Sequence, residues 1–420
     1  MTNKKNHSNS FIRFWKKLGP GLVTGASDDD PSGIATYSQA GAMYGLSTLW
    51  TALLTLPLMI AVQEMCARIG IVTRHGLTGV LKQYYPRPLL YGMILFSVPA
   101  IILNIGADIQ AMGAVSNMLF PQIESYWASV FFTMLLLVCV VLLPYKKVAV
   151  TLKYLCLSLL LYLVVPFLVK LDFRAVLYHT FIPTFHFDKH YLGILVGILG
   201  TTISPYLFFW QTSMEVEEAG KRRNTIVVDK KLITDMRQDV DFGMLLTCIV
   251  FFFIILTTGT VLFQEGLHDI NTVRDAALAL RPLAGDQAYW LFALGVIGTG
   301  MLAIPVLAGA VSYILAETFG WKEGLDKKYY QAKGFYGIMA LSLGLGLLLE
   351  FTGISAIDAL LLAAVLYGVT APFLIGIVLH ISNNSSIMGT FVNGRWTNIF
   401  GFTALVFMSV AAGVLLYFLW

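Results

Sequence analysis

The chain has 420 residues, of which 57% are hydrophobic and 12% are charged, and its mean hydropathy is +0.74. A soluble globular domain carries about 25% charged residues, so this composition excludes one and indicates a protein embedded in lipid. The formal net charge of +4 does not indicate nucleic-acid binding, because the basic residues are scattered through short segments and form no single basic face.

Apolar runs of about 20 residues, enough to cross the hydrocarbon core of a bilayer, recur along the chain. In chain order they cover residues 18–43, 46–70, 88–113, 127–144, 152–170, 191–218, 240–263, 287–316, 334–351, 357–380 and 398–419. We therefore predict an all-α polytopic membrane protein with about 11 transmembrane helices and no soluble domain between them.

The distribution of lysine and arginine predicts the orientation of these spans. If the N-terminus is cytoplasmic, only five of the 28 basic residues lie outside. Those five are Lys170, Arg174, Lys189, Arg274 and Arg281. Because cytoplasmic loops of membrane proteins carry an excess of basic residues, we predict a multi-pass protein of the cell membrane with a cytoplasmic tail at 1–17 and its C-terminus outside.

The first span contains polar residues where lipid should surround the chain. Its sequence GPGLVTGASDDDPSGIATYSQAG places Asp28, Asp29 and Asp30, followed by a proline and a glycine, at mid-membrane depth. A proline interrupts the helix, and the freed carbonyls are tolerated only where they face protein, water or an ion. A carboxylate at this depth is costly unless it is paired or coordinating, so we predict that Asp30 is functional.

The sixth span, LGILVGILGTTISPYLFFWQTSMEVEE, is interrupted in the same way at Ser204-Pro205-Tyr206. Interrupted spans in matching positions of two five-helix halves indicate an inverted-repeat transporter whose site lies between the two breaks. We predict a first repeat over 18–170, a second over 191–380 and an additional helix at 398–420. The alternative is a pair of ordinary proline kinks in an unrelated bundle.

The chemistry of the two breaks favours a hard cation. They offer carboxylate, hydroxyl and carbonyl oxygens, without cysteine or histidine at either proline, and such ligands suit magnesium, calcium or manganese. The four cysteines show no CxxC pattern or Cys/His cluster, so neither a disulfide framework nor a zinc site is expected. We predict no cofactor beyond the transported ion.

Several segments resemble the NRAMP family of divalent metal transporters. GPGLVTGASDDDPSG resembles that family's first-helix motif, which ends in Asp-Pro-Gly-Asn. QEMCARIGIVTRHGLTGVLKQYYP is similar to the end of the second helix and the loop after it, GADIQAMGA to the third helix, and SSIMGTFVNGRWTNIFG to the loop before the eleventh. The resemblance runs over most of the chain and implies a LeuT-like inverted repeat with broken helices 1 and 6.

The resemblance also implies a metal site. The family's ligands correspond to Asp30, Gly33, the carbonyl of Thr201 and Ser204, and only the aspartate is kept. The amide side chain is missing at Gly33, and a hydroxyl at Ser204 replaces a soft thioether that favours transition metals. Magnesium is usually bound through one or two carboxylates with several waters retained. These departures resemble the NRAMP-related magnesium transporters and predict hydrated Mg²⁺ as the cargo.

Other polar residues could line the ion pathway. Asp28 and Asp29 could attract a hydrated cation or hold its waters, or else be satisfied by backbone amides at the break. Glu215 could line an exit vestibule, or it could belong to a solvated acidic helix end.

The family's proton route uses histidines where this chain has Tyr206 and Gln211, and neither residue changes charge near neutral pH. Asp108 on the third span matches a retained family carboxylate. It could keep a transport role, or it could be a structural carboxylate bonded to neighbouring polar groups such as Asn104. We therefore predict transport without obligatory proton coupling.

Together these features predict a secondary transporter that imports Mg²⁺, and also Mn²⁺, by alternating access. The alternative is a proton-coupled Mn²⁺/Fe²⁺ importer of the ordinary NRAMP type. The predicted partners are the divalent ion and the lipid bilayer, with no obligatory protein partner. An intramembrane enzyme is disfavoured because no nucleophile–base pair or HExxH motif is found. A sensor that kept a transporter fold would be expected to carry a sizeable cytoplasmic output domain.

Overall fold

The computed structural model describes residues 19–142, 162–222 and 228–419, and over these ranges the regular structure is helical. Among the described residues, eight helical spans are long and apolar enough to cross a membrane, one of them the interrupted span Lys189–Gly220, and Ser125–Val141 is a shorter apolar helix. The predicted tail 1–17 and the first part of the predicted fifth span, 152–161, lie outside the described residues.

The main helices follow one another in the order that the hydropathy pattern predicts. They are α1 (Pro20–Asp28), α2 (Pro31–Tyr44), α3 (Trp50–Thr73), α4 (Leu77–Tyr84), α5 (Arg87–Leu119), α6 (Ser125–Leu142), α7 (Phe173–Phe181), α8 (Lys189–Thr202), α9 (Pro205–Arg222), α10 (Lys230–Val261), α11 (Ala288–Phe319), α12 (Lys333–Leu347), α13 (Ala356–Asn383) and α14 (Arg395–Leu419). Shorter helices cover Val273–Ala277, Arg281–Ala284 and Ser385–Met388, and 3₁₀ turns cover Val165–Phe167, Leu278–Leu280, Gly285–Gln287, Leu348–Phe351 and Gly389–Phe391.

Both predicted breaks are confirmed, and they are built alike. α1 ends at a cap residue, Asp29, with φ −81° and ψ 53°, and α8 ends at Ile203 with φ −111° and ψ 58°. Two residues later the next half-helix begins with a proline, Pro31 or Pro205. Proline suits the first position of a helix because the N–H that it lacks would have no partner there. Asp30 and Ser204 therefore occupy equivalent positions in the two breaks.

The broken helices pack on unbroken ones through glycines. α1 lies against α10 so closely that a Cβ on Gly25 would come 2.2 Å from the carbonyl oxygen of Gly243. In the other half α9 lies against α3, where a Cβ on Gly70 would come 2.2 Å from the carbonyl oxygen of Thr212. Small residues allow such close approach between helices in membranes. The first span thus packs on the seventh and the sixth on the second, as an inverted repeat requires.

Two predicted helix boundaries are wrong. The predicted seventh span begins at 240, but α10 begins ten residues earlier at Lys230. The segment before 240 is too polar to be found by hydropathy. It is nevertheless helical, and Asp229 caps it by accepting a hydrogen bond from the Leu232 N–H. The described end of the predicted fifth span, 162–170, is not α-helical and contains the 3₁₀ turn Val165–Phe167. Pro166 lacks the N–H that a continuous helix would need.

A buried ion pair joins three helices at one end of the bundle. Glu64 of α3 is 3% exposed and receives a hydrogen bond of 2.8 Å from Arg237 of α10. Arg68, one turn further along α3, lies 3.3 Å from the same carboxylate oxygen, and Thr397 of α14 donates to the other oxygen at 3.0 Å. Because each partner comes from a different helix, this cluster fixes α3, α10 and α14 relative to one another.

Candidate functional site

Asp30 is held in one orientation at the centre of the first break. It caps α2, and its Oδ1 accepts a hydrogen bond of 2.8 Å from the Gly33 N–H. Its Oδ2 accepts a second hydrogen bond of 2.8 Å from the side-chain amide of Asn104 on α5. The residue is 1% exposed, so a carboxylate sits in the protein interior at the positive end of a helix dipole.

The two breaks meet each other. A Cβ on Gly33 would lie 3.2 Å from the Thr201 hydroxyl oxygen, and the Tyr206 hydroxyl donates a hydrogen bond of 2.8 Å to the Ser27 carbonyl. The Ser204 hydroxyl donates to the carbonyl of Thr201 at 2.6 Å. The structure therefore brings together all four residues predicted to bind the ion, although they are far apart in sequence.

Asp28 and Asp29 are also buried, and their observed partner comes from α10. The Thr247 hydroxyl lies 2.9 Å from Asp29 Oδ1 and 3.3 Å from Asp28 Oδ2. A hydroxyl has one hydrogen, so it cannot donate fully to both carboxylates. Asp28 Oδ1 has no hydrogen-bond partner within the described part of the chain. Both side chains thus remain beside the break as acceptors that could hold water molecules of a hydrated ion.

Asp108 lies on α5 and is fully buried. The expected bond between Asp108 and Asn104 is not formed, because the Asn104 amide donates to Asp30 instead. Neither carboxylate oxygen of Asp108 has a hydrogen-bond partner among the described residues. Asn104 is therefore not the partner of Asp108 in this conformation.

Glu215 and Gln211 belong to a chain of side-chain hydrogen bonds on the α1 side of the break. The Thr24 hydroxyl of α1 donates to the side-chain oxygen of Gln211, and the Gln211 amide donates to Glu215 at 2.9 Å. Glu215 is 6% exposed, which excludes the alternative of a solvated acidic helix end. This chain links α1 to α9 on the side of the break away from α2.

The sequence analysis missed Asp239, which accepts hydrogen bonds from the start of α1. Its Oδ1 accepts from the Gly19 N–H at 2.8 Å and from the Leu22 N–H at 3.3 Å, and its Oδ2 accepts from the Gly21 N–H at 2.7 Å. The predicted seventh span began one residue after Asp239, so this residue was assigned to a loop. An extension of that helix in the N-terminal direction would have placed Asp239 on the helix, although the direction that its side chain faces comes only from the packing of α10 on α1.

A cavity of about 590 Å³ approaches the break from the side of α2. It lies between α2, α8 and α13, and Thr36 and Gly197 are among its lining residues. Thr36 is three residues from Gly33, and Gly197 is four residues from Thr201, so about one helical turn separates the cavity from the break. The break is therefore enclosed, with only a thin barrier towards this cavity.

An acidic recess of about 190 Å³ lies near the other end of the bundle, between α9, α11 and the loop that follows α11. Glu217 accepts hydrogen bonds there from the Tyr313 hydroxyl at 2.5 Å and from the Leu325 N–H at 3.1 Å. Burial and the neighbouring carboxylates of Glu317 and Glu217 raise the pKa of Glu323 to about 9, and the Lys327 ammonium acts in the opposite direction.

Within residues 19–142, 162–222 and 228–419, no three histidine, cysteine, aspartate or glutamate side chains form a group that could hold a metal ion. The oxygens at the break come from a dispersed set: the carboxylates of Asp28, Asp29 and Asp30, the Thr201 carbonyl and the Ser204 hydroxyl.

Comparison with known families identifies the family of this chain. The model of the family described as natural resistance-associated macrophage protein-like matches residues 21–418. The chain belongs to this family. It is therefore a member of a family of polytopic membrane transporters, as the broken helices and the motifs in the first, second and third spans predicted.

Two curated relatives show how far the similarity extends. The divalent metal cation transporter MntH of Caldanaerobacter subterraneus subsp. tengcongensis is 23% identical over 411 residues, which cover 96% of this chain and 93% of the relative. The protein of the same name from Chromohalobacter salexigens is 26% identical over 394 residues, covering 90% of this chain and 85% of the relative. The family similarity thus spans both repeats.

Solved structures confirm the fold. A crystal structure of the Eremococcus coleocola manganese transporter, in complex with an aromatic bis-isothiourea compound, matches with a TM-score of 0.77 and 17% identity over 98% of this chain and 88% of that one. Mhp1, a nucleobase-cation-symport-1 family transporter, matches with a TM-score of 0.54 and 12% identity over 95% and 92%. At these identities the likeness shows the fold, which is the predicted LeuT-like helical architecture.

Proposed function

We propose that this member of the family is a secondary transporter of divalent metal ions. The observation that carries the proposal is Asp30, a buried carboxylate that caps α2 where two interrupted helices meet. A carboxylate at this depth is retained when it binds an ion or proton, and helix breaks of this kind form ion sites in transporters. The names of the relatives, which are called divalent metal cation transporters, support the same cargo class.

The first candidate cargo is Mn²⁺. The relatives in this family include a structurally similar manganese transporter, and these comparisons support the ordinary importer better than a magnesium-specific one. On this candidate the break binds Mn²⁺ through Asp30, the Thr201 carbonyl and the Ser204 hydroxyl. These are oxygen ligands, which suit manganese as well as magnesium.

Mg²⁺ is a second candidate because of the residues at positions 33 and 204. Gly33 offers no ligand, and the Ser204 hydroxyl, which already donates to the Thr201 carbonyl, is a hard donor. A site with one directly bound carboxylate and the remaining positions filled by water is typical of magnesium, which gives up its hydration shell reluctantly. The two candidates make different predictions for competition between ions, as described below.

The two candidates, Mn²⁺ and Mg²⁺, also differ in whether transport is expected to be coupled to protons. Tyr206 and Gln211 are both engaged in fixed hydrogen bonds, and neither changes charge near neutral pH, which supports uncoupled transport. A proton-coupled importer would have to use a carboxylate, and Asp108 is the one beside the break that has no hydrogen-bond partner in the described ranges. Proton movement must therefore be measured together with the ion.

The described conformation suits one stage of alternating access. We propose that the basic loops are cytoplasmic, so that the cavity beside Thr36 and Gly197 faces the outside. An ion would enter this cavity and pass the single turn that separates it from Asp30. Release inside would require α1 to leave α10, which breaks the hydrogen bonds to Asp239 and the contact between Thr24 and Gln211.

The test is ion uptake into proteoliposomes that contain the purified protein. Mn²⁺, Mg²⁺ and Ca²⁺ are compared, and internal pH is followed at the same time. Mn²⁺ uptake with acidification supports the first candidate, and Mg²⁺ uptake without acidification supports the second.

In the same assay Asp30→Asn keeps the side-chain volume but removes the charge. We expect it to lower uptake of either ion by about 100-fold, the upper end of what the loss of an outer-shell group costs. Asp172→Asn is the matched control, because Asp172 caps the short helix α7 far from the break and asparagine is also a good cap. Uptake at the wild-type rate in Asp30→Asn would contradict the proposed site.

A further inference from the structure

One face of α5 presents oxygen atoms without hydrogen donors next to the break. Asn104 and Asp108 are four residues apart, so they lie on the same side of the helix, and both are fully buried. Asn104 uses its amide nitrogen to bond Asp30 Oδ2. Its Oδ1 and both carboxylate oxygens of Asp108 have no hydrogen-bond partner among the described residues.

The first break contributes a further acceptor of the same kind. Asp28 Oδ1 is buried and also lacks a hydrogen-bond partner in the described ranges. Buried polar atoms are almost always hydrogen-bonded, because leaving one unpaired costs about 1–3 kcal/mol and leaving a charged one costs more. A group of such atoms that share one region indicates a ligand that supplies hydrogen donors or positive charge.

The charges in this region point to the same class of ligand. Asn104 bonds Asp30 Oδ2, and Asp108 lies one turn further along the same face of α5, so two buried carboxylates share this region. Two carboxylates in a low-dielectric interior require a counter-charge. A divalent cation balances two carboxylates. If it keeps part of its water shell, its bound waters are hydrogen donors that match acceptors such as Asn104 Oδ1.

We propose that Asn104 and Asp108 form the second wall of the ion site, facing Asp30. Asn104 supplies the amide oxygen that Gly33 lacks, and Asp108 supplies the second negative charge. Both act on a partly hydrated divalent ion, through its bound waters in the conformation that binds it. This inference rests on the proposed function, since it concerns the same cargo and adds α5 to the residues that hold it.

Asp108→Asn is the main test, because it keeps the shape and removes the charge. We expect the apparent KM for Mg²⁺ and Mn²⁺ uptake to rise about 10-fold, the effect of losing a group in a metal's outer shell, while uptake at saturating ion falls less. We also expect the rise in melting temperature on adding Mg²⁺ or Mn²⁺ to the purified protein to require about 10-fold more ion. In the absence of ion the variant should be at least as stable as the wild type, because a buried unpaired charge has been removed.

Two further variants complete the experiment. Asn104→Leu keeps the number of side-chain heavy atoms but removes both the amide oxygen and the amide donor to Asp30, and it should also raise the KM and weaken the ion-induced stabilisation. Glu350→Gln is the matched control. The Ser129 hydroxyl lies 3.3 Å from a Glu350 carboxylate oxygen and 3.3 Å from the Ile109 carbonyl oxygen of α5, so this substitution turns a carboxylate into an amide near the same helix but outside the proposed wall. It should leave both readouts unchanged.

The outcomes separate this inference from the proposed function. Wild-type KM and wild-type ion-induced stabilisation in Asp108→Asn would overturn the inference. So would a variant that loses only proton entry, because Asp108 would then carry protons and not hold the ion. If Asp30→Asn abolishes the ion-induced stabilisation while Asp108→Asn and Asn104→Leu retain it, the inference fails and the proposed function stands. If the wild-type protein neither binds nor transports a divalent ion, both fail.

Discussion

Asp239→Ala should release the first half of the broken helix from α10. The carboxylate accepts hydrogen bonds from three backbone N–H groups at the start of α1, and without it these donors face only an alanine. α1 is also the element that must move if an ion is to leave the break towards the basic loops. The substitution should therefore favour the conformation in which α1 is undocked.

The size of this effect follows from the geometry. Two of the bonds, from Gly19 and Gly21, are short at 2.8 and 2.7 Å, and the third, from Leu22, is long at 3.3 Å. A hydrogen bond to a charged group contributes about 1.5–3 kcal/mol net. Because Gly19 is partly exposed and water can replace its partner, the lower value applies. Two bonds then amount to about 3 kcal/mol, or roughly a 100-fold change in the equilibrium between docked and undocked α1.

Hydrogen–deuterium exchange measures this equilibrium directly. In Asp239→Ala the amide protection factors of the peptide that covers residues 19–28 should fall by about 100-fold. Asp239→Asn keeps one acceptor oxygen without the charge and should show a smaller loss. Asp235→Ala removes a carboxylate one helical turn earlier on α10 and serves as the control for the loss of acidic charge from this helix.

Unchanged protection of residues 19–28 in Asp239→Ala would refute the reasoning. It would mean that the close glycine contacts between α1 and α10, such as Gly25 against Gly243, hold α1 in place without the carboxylate. Loss of protection throughout the protein would also count against it, because the prediction is a local release of α1 and not a global loss of stability.

Two other predictions concern selectivity and pH. Gly33→Asn combined with Ser204→Met introduces the amide and thioether of the family pattern, and it should shift the competition between ions towards Mn²⁺. The uptake rate should fall somewhat, because a Cβ at Gly33 lies only 3.2 Å from the Thr201 hydroxyl oxygen. An unchanged Mn²⁺/Mg²⁺ preference would contradict the ligand argument. Glu323 has a folded-state pKa of about 9 against its usual 4.5, so the folded protein binds more protons than the unfolded chain between these values and this contribution to stability falls as pH rises through that window. Glu323→Gln should flatten the decline of melting temperature from pH 5 to 9, and equal slopes in both proteins would contradict this.

Much of the site follows from local chemistry. Asp30 stands out because a carboxylate followed by proline is incompatible with a lipid-exposed helix, and Ser204-Pro205 stands out for the same reason. The contacts of Asn104, Thr247 and Asp239 with the first span could not be found in this way, because each is a polar residue on another helix and nothing local shows which way it faces.

The amino-acid sequence by itself determined the membrane class, the succession of spans and the two breaks, because hydropathy and proline act locally along the chain. The tertiary structure decided which residues surround Asp30. That depends on helix packing: glycines at Gly25 and Gly243 bring α1 onto α10, and α5 places Asn104 and Asp108 beside the break. Such contacts depend on the relative rotation of helices, which the apolar pattern of a helix buried on nearly all sides does not specify.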